Sequence, residues 1–109
     1  MHNAELARRI SQGNAPCVID ARSTFEFKAG HIAQAVHAPV VRILLKRARL
    51  PKDKSFELVI TCEHGPRAAM AKALLGIYGY RNATLLEGHM LGWRRAGLPL
   101  EKENRTWNE

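Results

Sequence analysis

Leu58-Val59-Ile60-Thr61-Cys62-Glu63-His64-Gly65-Pro66-Arg67 is the stretch whose reading decides the fold. Its first four residues are uncharged, mostly β-branched and bounded by polar segments, which predicts a buried strand. A short polar turn follows, and then an apolar helix expected over 67–78. Strand, tight turn and helix in this order form half of a parallel β–α–β unit. In such sheets ligands bind beyond the carboxyl ends of the strands, which places Cys62 and its turn where chemistry is expected.

The flanking sequence repeats the alternation. Leu6 and Ile10, four apart among polar groups, predict a short amphipathic helix over 3–12, ended by Gly13-Asn14. Cys17-Val18-Ile19-Asp20 reads as a buried strand, and the polar stretch after it offers Phe25 and Phe27 for packing. A short strand with turns is expected within 32–39, and a helix over 40–50 that stops before Pro51. A strand over 83–86 and a helix over 89–95, ended by Gly97, complete the pattern. Alternating strands and helices argue for an α/β domain with a mainly parallel sheet covered on both faces. The expected organisation is one domain over 1–109, with its core at about 15–100 and a C-terminal tail over 101–109.

Bulk composition narrows the functional classes. The 109 residues are 46% hydrophobic and 25% charged, ordinary values for a globular domain. Two cysteines, Cys17 and Cys62, make no disulfide scaffold and suggest a reducing compartment. Met1-His2-Asn3-Ala4-Glu5 shows no basic segment leading into an apolar one, and no apolar run approaches the ~20 residues that cross a bilayer. The expectation is a cytoplasmic protein without membrane contact. The formal net charge is +7, much of it in Arg42-Ile43-Leu44-Leu45-Lys46-Arg47-Ala48-Arg49 and in Lys52 and Lys54. On a helix Arg42, Lys46 and Arg49 would share one face. No aromatic residues interleave with these charges as base stacking would require, so nucleic acid is not the expected partner. A solvated helix face is the plain reading of residues 42–49, and a field that gathers anionic molecules or an acidic protein is the next.

Cys62 is the candidate nucleophile because of its surroundings. Its turn opens a helix, where several backbone N–H groups lack intrahelical partners and the helix dipole is positive. That arrangement stabilises an anion: the thiolate, the terminal sulfur of a persulfide, or an oxyanion brought by a donor. Gly65 lets the chain curl around Cys62, and Pro66 suits the first helical position but removes one N–H from the cradle. Arg67 supplies a permanent positive charge with a fork of donors, and Ala68 is a small residue behind it. The Glu63 carboxylate opposes an anion at the same place, and His64 reads as a solvent-facing histidine able to hydrogen-bond a substrate. Cys62 and His64 lack a second ligand pair for zinc, so no metal or organic cofactor is expected.

These residues resemble the rhodanese domains, whose loop has the form Cys-x-x-Gly-x-Arg followed by a small residue, here Cys62 to Arg67 and Ala68. Asp20-Ala21-Arg22, Glu26-Phe27, Gly30-His31-Ile32, Ala35 and Pro39 resemble an upstream segment of the family at matching spacing. Gly79-Tyr80, Leu86-Glu87-Gly88, Trp93 and Gly97-Leu98-Pro99 resemble its closing segment. The resemblance covers about 15–100. It implies a rhodanese-like α/β fold with a central, mainly parallel five-stranded sheet and helices on both faces. It implies a sulfurtransferase of the thiosulfate sulfurtransferase type, carrying sulfane sulfur as a persulfide on Cys62 within a binding loop of Glu63, His64, Gly65, Pro66, Arg67 and Ala68. The donor would be thiosulfate or an organic persulfide, and the acceptor cyanide or a thiol, including one on an acidic sulfur-carrier protein. Asp20, Arg22, Glu26 and His31 look like an internal network of charge and hydrogen bonds without a catalytic role, and Trp93 like the anchor of the last helix. Glu63 and Pro66 depart toward weaker anion binding, which makes thiosulfate the poorer donor.

Two rivals differ in class. A cysteine-based phosphatase or arsenate reductase on this fold needs one more residue between cysteine and arginine than the four present here. A non-catalytic interaction module would be expected to lack the cysteine.

Overall fold

The computed structural model describes residues 1–102. Helix α1 (Asn3–Ser11) precedes strand β1 (Cys17–Asp20), helix α2 (Thr24–Ala29), strand β2 (Val36–His37) and helix α3 (Val40–Leu44). Strand β3 (Leu58–Thr61), helix α4 (Pro66–Ile77), strand β4 (Ala83–Leu85) and helix α5 (His89–Arg95) follow. The strands form one parallel sheet in the order β2-β1-β3-β4. Cys17 pairs with Leu58 and Asp20 with Thr61, so β1 and β3 end level and Cys62 emerges beside Ala21.

Apart from the half-buried Cys17, both inner strands are buried on both faces, as their apolar runs Val18-Ile19 and Leu58-Val59-Ile60 require. Ile19, Leu58 and Ile60 pack with Ile43 of α3 and with Ala68, Ala71 and Leu75 of α4. Val18 and Val59 point the other way, onto Leu6 of α1 and Met90 and Trp93 of α5. The alternation follows from the two-residue period of a strand. Trp93 anchors α5 as expected, with its indole N–H donating to the Pro99 carbonyl at 2.8 Å. No helix among the described residues is long and apolar enough to cross a membrane.

Four expectations need correction. The sheet has four strands among the described residues, not five. Among the described residues, Met1 meets the β4 edge: it donates to the Leu85 carbonyl and accepts from the Glu87 N–H. Near the other end, His31 and Glu101 form a single antiparallel bridge, and one bridge after Pro99 extends no ladder. Residues 103–109 of the expected tail lie outside the described residues. Helix α3 ends at Leu44 rather than Leu50, because Lys46 adopts a left-handed backbone at φ 58°. A continued helix would set Arg42 and Lys46 four residues apart, a repulsive spacing for like charges. Arg42, Lys46 and Arg49 therefore share no helix face; Arg42 turns toward His37, and Lys46 lies over the Tyr78 ring. Finally, Phe25 is 83% exposed, whereas Phe27 is buried and stacks on His31 and His37.

Candidate functional site

Cys62 follows β3 without an intervening residue and is 0% exposed. The Gly65 N–H donates to its Sγ at 3.0 Å. Gly65 is the N-cap of α4 at φ 135°, a backbone state that glycine enters readily. Pro66 takes the first helical position, as the sequence predicts. The turn thus curls back so that the N-cap amide of α4 meets the sulfur.

The rest of the Cys62 residue is held by α5. The Met90 N–H donates to the Cys62 carbonyl at 3.0 Å, and the Leu91 N–H to the Glu63 carbonyl at 3.3 Å. These are two of the N–H groups that a helix start leaves unpaired. The Cys62 N–H donates to Nδ1 of His89 at 3.3 Å. His89 is a site residue that sequence reasoning missed. Its only signal was a position directly after Gly88 at a helix start, and many unrelated turns share that feature.

The charged residues of the site pair with partners remote in sequence. Arg67 donates through both terminal nitrogens to Glu26, at 2.7 and 3.1 Å. Ser23 and Glu26 also form the capping box of α2, so one carboxylate closes a helix and holds the loop arginine. Glu26 therefore leaves the internal network expected of it. That network reduces to Asp20 and Arg22, a buried pair in which Arg22 also donates to the Gly30 carbonyl at 2.7 Å. His31 bonds the Phe27 carbonyl instead. Glu63 does not stand unopposed beside Cys62: it accepts from Arg94 and lies 3.6 Å from Arg22. The Arg94 hydrogen bonds hold its carboxyl below the ordinary range, against the smaller effect of burial. His64 is exposed, as expected of a loop histidine, and Ala68 is buried under the loop. A cavity of about 290 Å³ opens beside these groups, between Phe25, Glu26, Glu63, Arg94 and Leu100. No group of three or more His, Cys, Asp or Glu side chains among the described residues could hold a metal ion. Cys17 and Cys62 are both free thiols.

The Glu26–Arg67 pair has a measurable signature. Arg67 first, with help from Ser23, holds the Glu26 carboxyl at about 2 against an ordinary 4.5. A depressed carboxyl stabilises the fold fully above its unfolded value, and that stability is lost as pH falls through the folded value. Thermal midpoints of wild type and Glu26→Gln are expected to converge between pH 4.5 and about 2, with the wild type the more stable above that window. Parallel curves across the window would show that the pair contributes nothing.

A family model described as the rhodanese-like domain matches residues 2–96. A sulfurtransferase from Allochromatium vinosum is 32% identical over 95 residues, which is 87% of this chain and 87% of that protein. Other relatives are longer, and the chain spans only 52% and 43% of two of them. Among solved structures, a rhodanese-related protein from Thermoplasma volcanium superposes with a TM-score of 0.79 at 30% identity, covering 94% of this chain and 97% of that one. A human single-domain sulfurtransferase superposes at 0.73 with 28% identity, covering 87% and 94%.

Proposed function

As the chain belongs to the rhodanese-like domain family, we propose that it is a sulfurtransferase that carries sulfane sulfur as a persulfide on Cys62. The observation that carries this reading is the Gly65 N–H directed onto Cys62 Sγ at 3.0 Å, where β3 ends and α4 begins. A donor amide and a helix start facing one sulfur suit a group that is anionic both as thiolate and as persulfide.

The cycle is a double displacement. The Cys62 thiolate attacks the outer sulfur of a donor persulfide; the donor's S–S bond breaks, and its inner sulfur leaves with the bonding pair as a thiolate. Cys62 then bears a terminal sulfur with a negative charge, held by the Gly65 N–H and by the unpaired N–H groups at the start of α4. An acceptor thiolate attacks that terminal sulfur, forms a new persulfide and releases Cys62 as thiolate. No metal or organic cofactor enters either step. Because the sulfur is fully buried, each encounter requires the side chain to rotate or the loop to open.

An organic persulfide is the preferred donor in this reading, and thiosulfate the poorer one. Pro66 offers no N–H to an oxyanion, and the Arg67 fork is already occupied by Glu26. Glu63 adds less to this preference than its charge alone suggests, since Arg94 and Arg22 offset it. The acceptor is a thiol, on a small molecule or on an acidic carrier protein. Lys46, Arg47, Arg49 and Lys52 make no ion pair among the described residues and remain available to acidic groups. Initial rates at equal concentrations of thiosulfate and glutathione persulfide test the donor: the persulfide is expected to be faster. A clear preference for thiosulfate would show that the remaining N–H groups bind its oxyanion without a free arginine.

A further inference from the structure

Three non-glycine residues among the described ones have a left-handed backbone: Gln34, Lys46 and His89. The first two are exposed. His89, at φ 52°, is 8% exposed. A side chain in this region crowds the following carbonyl, so the conformation persists where something else holds it. Burying a polar ring in the same place adds a second unfavourable requirement. Such a combination points to function when it lies at a site.

The His89 backbone N–H donates to the Leu86 carbonyl at 3.2 Å, and its side chain is held by Cys62. The Cys62 N–H donates to Nδ1, which fixes the ring proton on Nε2 in the neutral form. Burial, with a smaller effect of His64, pushes the imidazole toward that neutral form. The far edge of the ring lies against Gly65: a Cβ built there would stand 3.3 Å from Nε2 and 3.5 Å from Cδ2. Nε2 has no protein partner among the described residues, and no buried side-chain nitrogen or oxygen there is without one, so this edge meets solvent beside the loop. One ring therefore touches both ends of the turn, the Cys62 peptide and Gly65, whose N–H holds the sulfur.

We propose that His89 is a positioning residue for sulfur transfer, bracing the Cys62–Gly65 turn so that the Gly65 N–H stays on the sulfur. This rests on the sulfurtransferase reading of Cys62. The ring does no chemistry itself; it sets the geometry in which the loop amide meets the persulfide. A side chain at residue 65 would press on this ring at 3.3 Å, in addition to the strain that φ 135° imposes on any residue but glycine.

Two substitutions separate bracing from simple packing. His89→Gly relieves the backbone crowding and removes the ring. His89→Asn tolerates the left-handed state and can place an amide oxygen where Nδ1 stands. Single-turnover discharge of sulfur from the loaded protein to a thiol is the rate to measure, with the thermal midpoint alongside. His89→Gly is expected to discharge about tenfold more slowly, as displacement of a reacting group by a fraction of an ångström does. Its thermal midpoint should not fall in proportion, and His89→Asn should recover most of the rate. Unchanged discharge in His89→Gly would overturn the proposal, as would a loss that Asn fails to rescue. A readout independent of activity is the ¹⁵N resonances of His89, expected to show the neutral ring protonated on Nε2 with Nδ1 accepting; an Nδ1-protonated ring would also overturn it. If the wild type takes up no sulfur, the sulfurtransferase reading fails, while the ring spectrum still decides whether the brace exists.

Discussion

A Cys62→Ser variant is expected to lose sulfur transfer to background with every donor, while keeping its fold. The double displacement runs through a sulfur–sulfur bond to residue 62, and a hydroxyl cannot form one. No neighbouring group can substitute: Glu63 is engaged by Arg94, and Cys17 sits at the opposite end of β1 and β3, paired with Leu58. Burial pushes the Cys17 thiol upward, which leaves it a poor nucleophile near neutrality. Serine is slightly smaller than cysteine and can still accept from the Gly65 N–H, so the cost to stability is expected to be about 1 kcal/mol. A steady-state assay with glutathione persulfide and a thiol acceptor, read beside the thermal midpoint, checks both halves. Retention of a substantial fraction of the rate would remove Cys62 from the mechanism.

The largest effect on stability is expected from Arg22→Met. Asp20 is 0% exposed and Arg22 3%, and the two are joined by hydrogen bonds of 2.9–3.2 Å. Removing the guanidinium leaves a carboxylate buried at the carboxyl end of β1, with the Arg22 backbone N–H at 3.0 Å the chief donor left to it. Breaking such a pair from one side costs about 3–5 kcal/mol, much more than the pair itself contributes. The Gly30 carbonyl loses its donor as well. Urea unfolding should show this destabilisation, and the double variant Asp20→Asn/Arg22→Met should recover part of it by removing the stranded charge. A single-variant effect below about 1 kcal/mol would mean that water reaches Asp20 freely.

The sequence made the middle of the molecule legible and its cross-links opaque. β3 and α4 are readable because their patterns are local: an uncharged β-branched run, a glycine turn, a proline at a helix start. The limits of α5 are readable for the same reason. Cys62 and its loop follow from that local grammar together with the rhodanese resemblance. The ion pairs that decide the loop's charge, by contrast, join residues 41 apart in Glu26–Arg67 and 31 apart in Glu63–Arg94. No pattern within one segment announces them. Glu63 illustrates the consequence: read beside Cys62 alone it repels anions, whereas in the fold two arginines offset it. Phe25 and Phe27 were equivalent on paper because α2 spans only Thr24–Ala29, too short for periodicity to select a buried face. The end of α3 was missed because a left-handed lysine carries no sequence signature, and a one-residue contact such as that of Met1 with the β4 edge is invisible before the sheet is assembled.

The most direct test of the account is the intact mass of wild type and Cys62→Ser after incubation with a sulfane-sulfur donor and removal of the excess. The account predicts that the wild type gains one sulfur atom, located on Cys62 by peptide mapping and lost on addition of a thiol, and that Cys62→Ser gains none. A Cys62→Ser variant that still acquired the sulfur, or a wild type carrying it on Cys17, would contradict it.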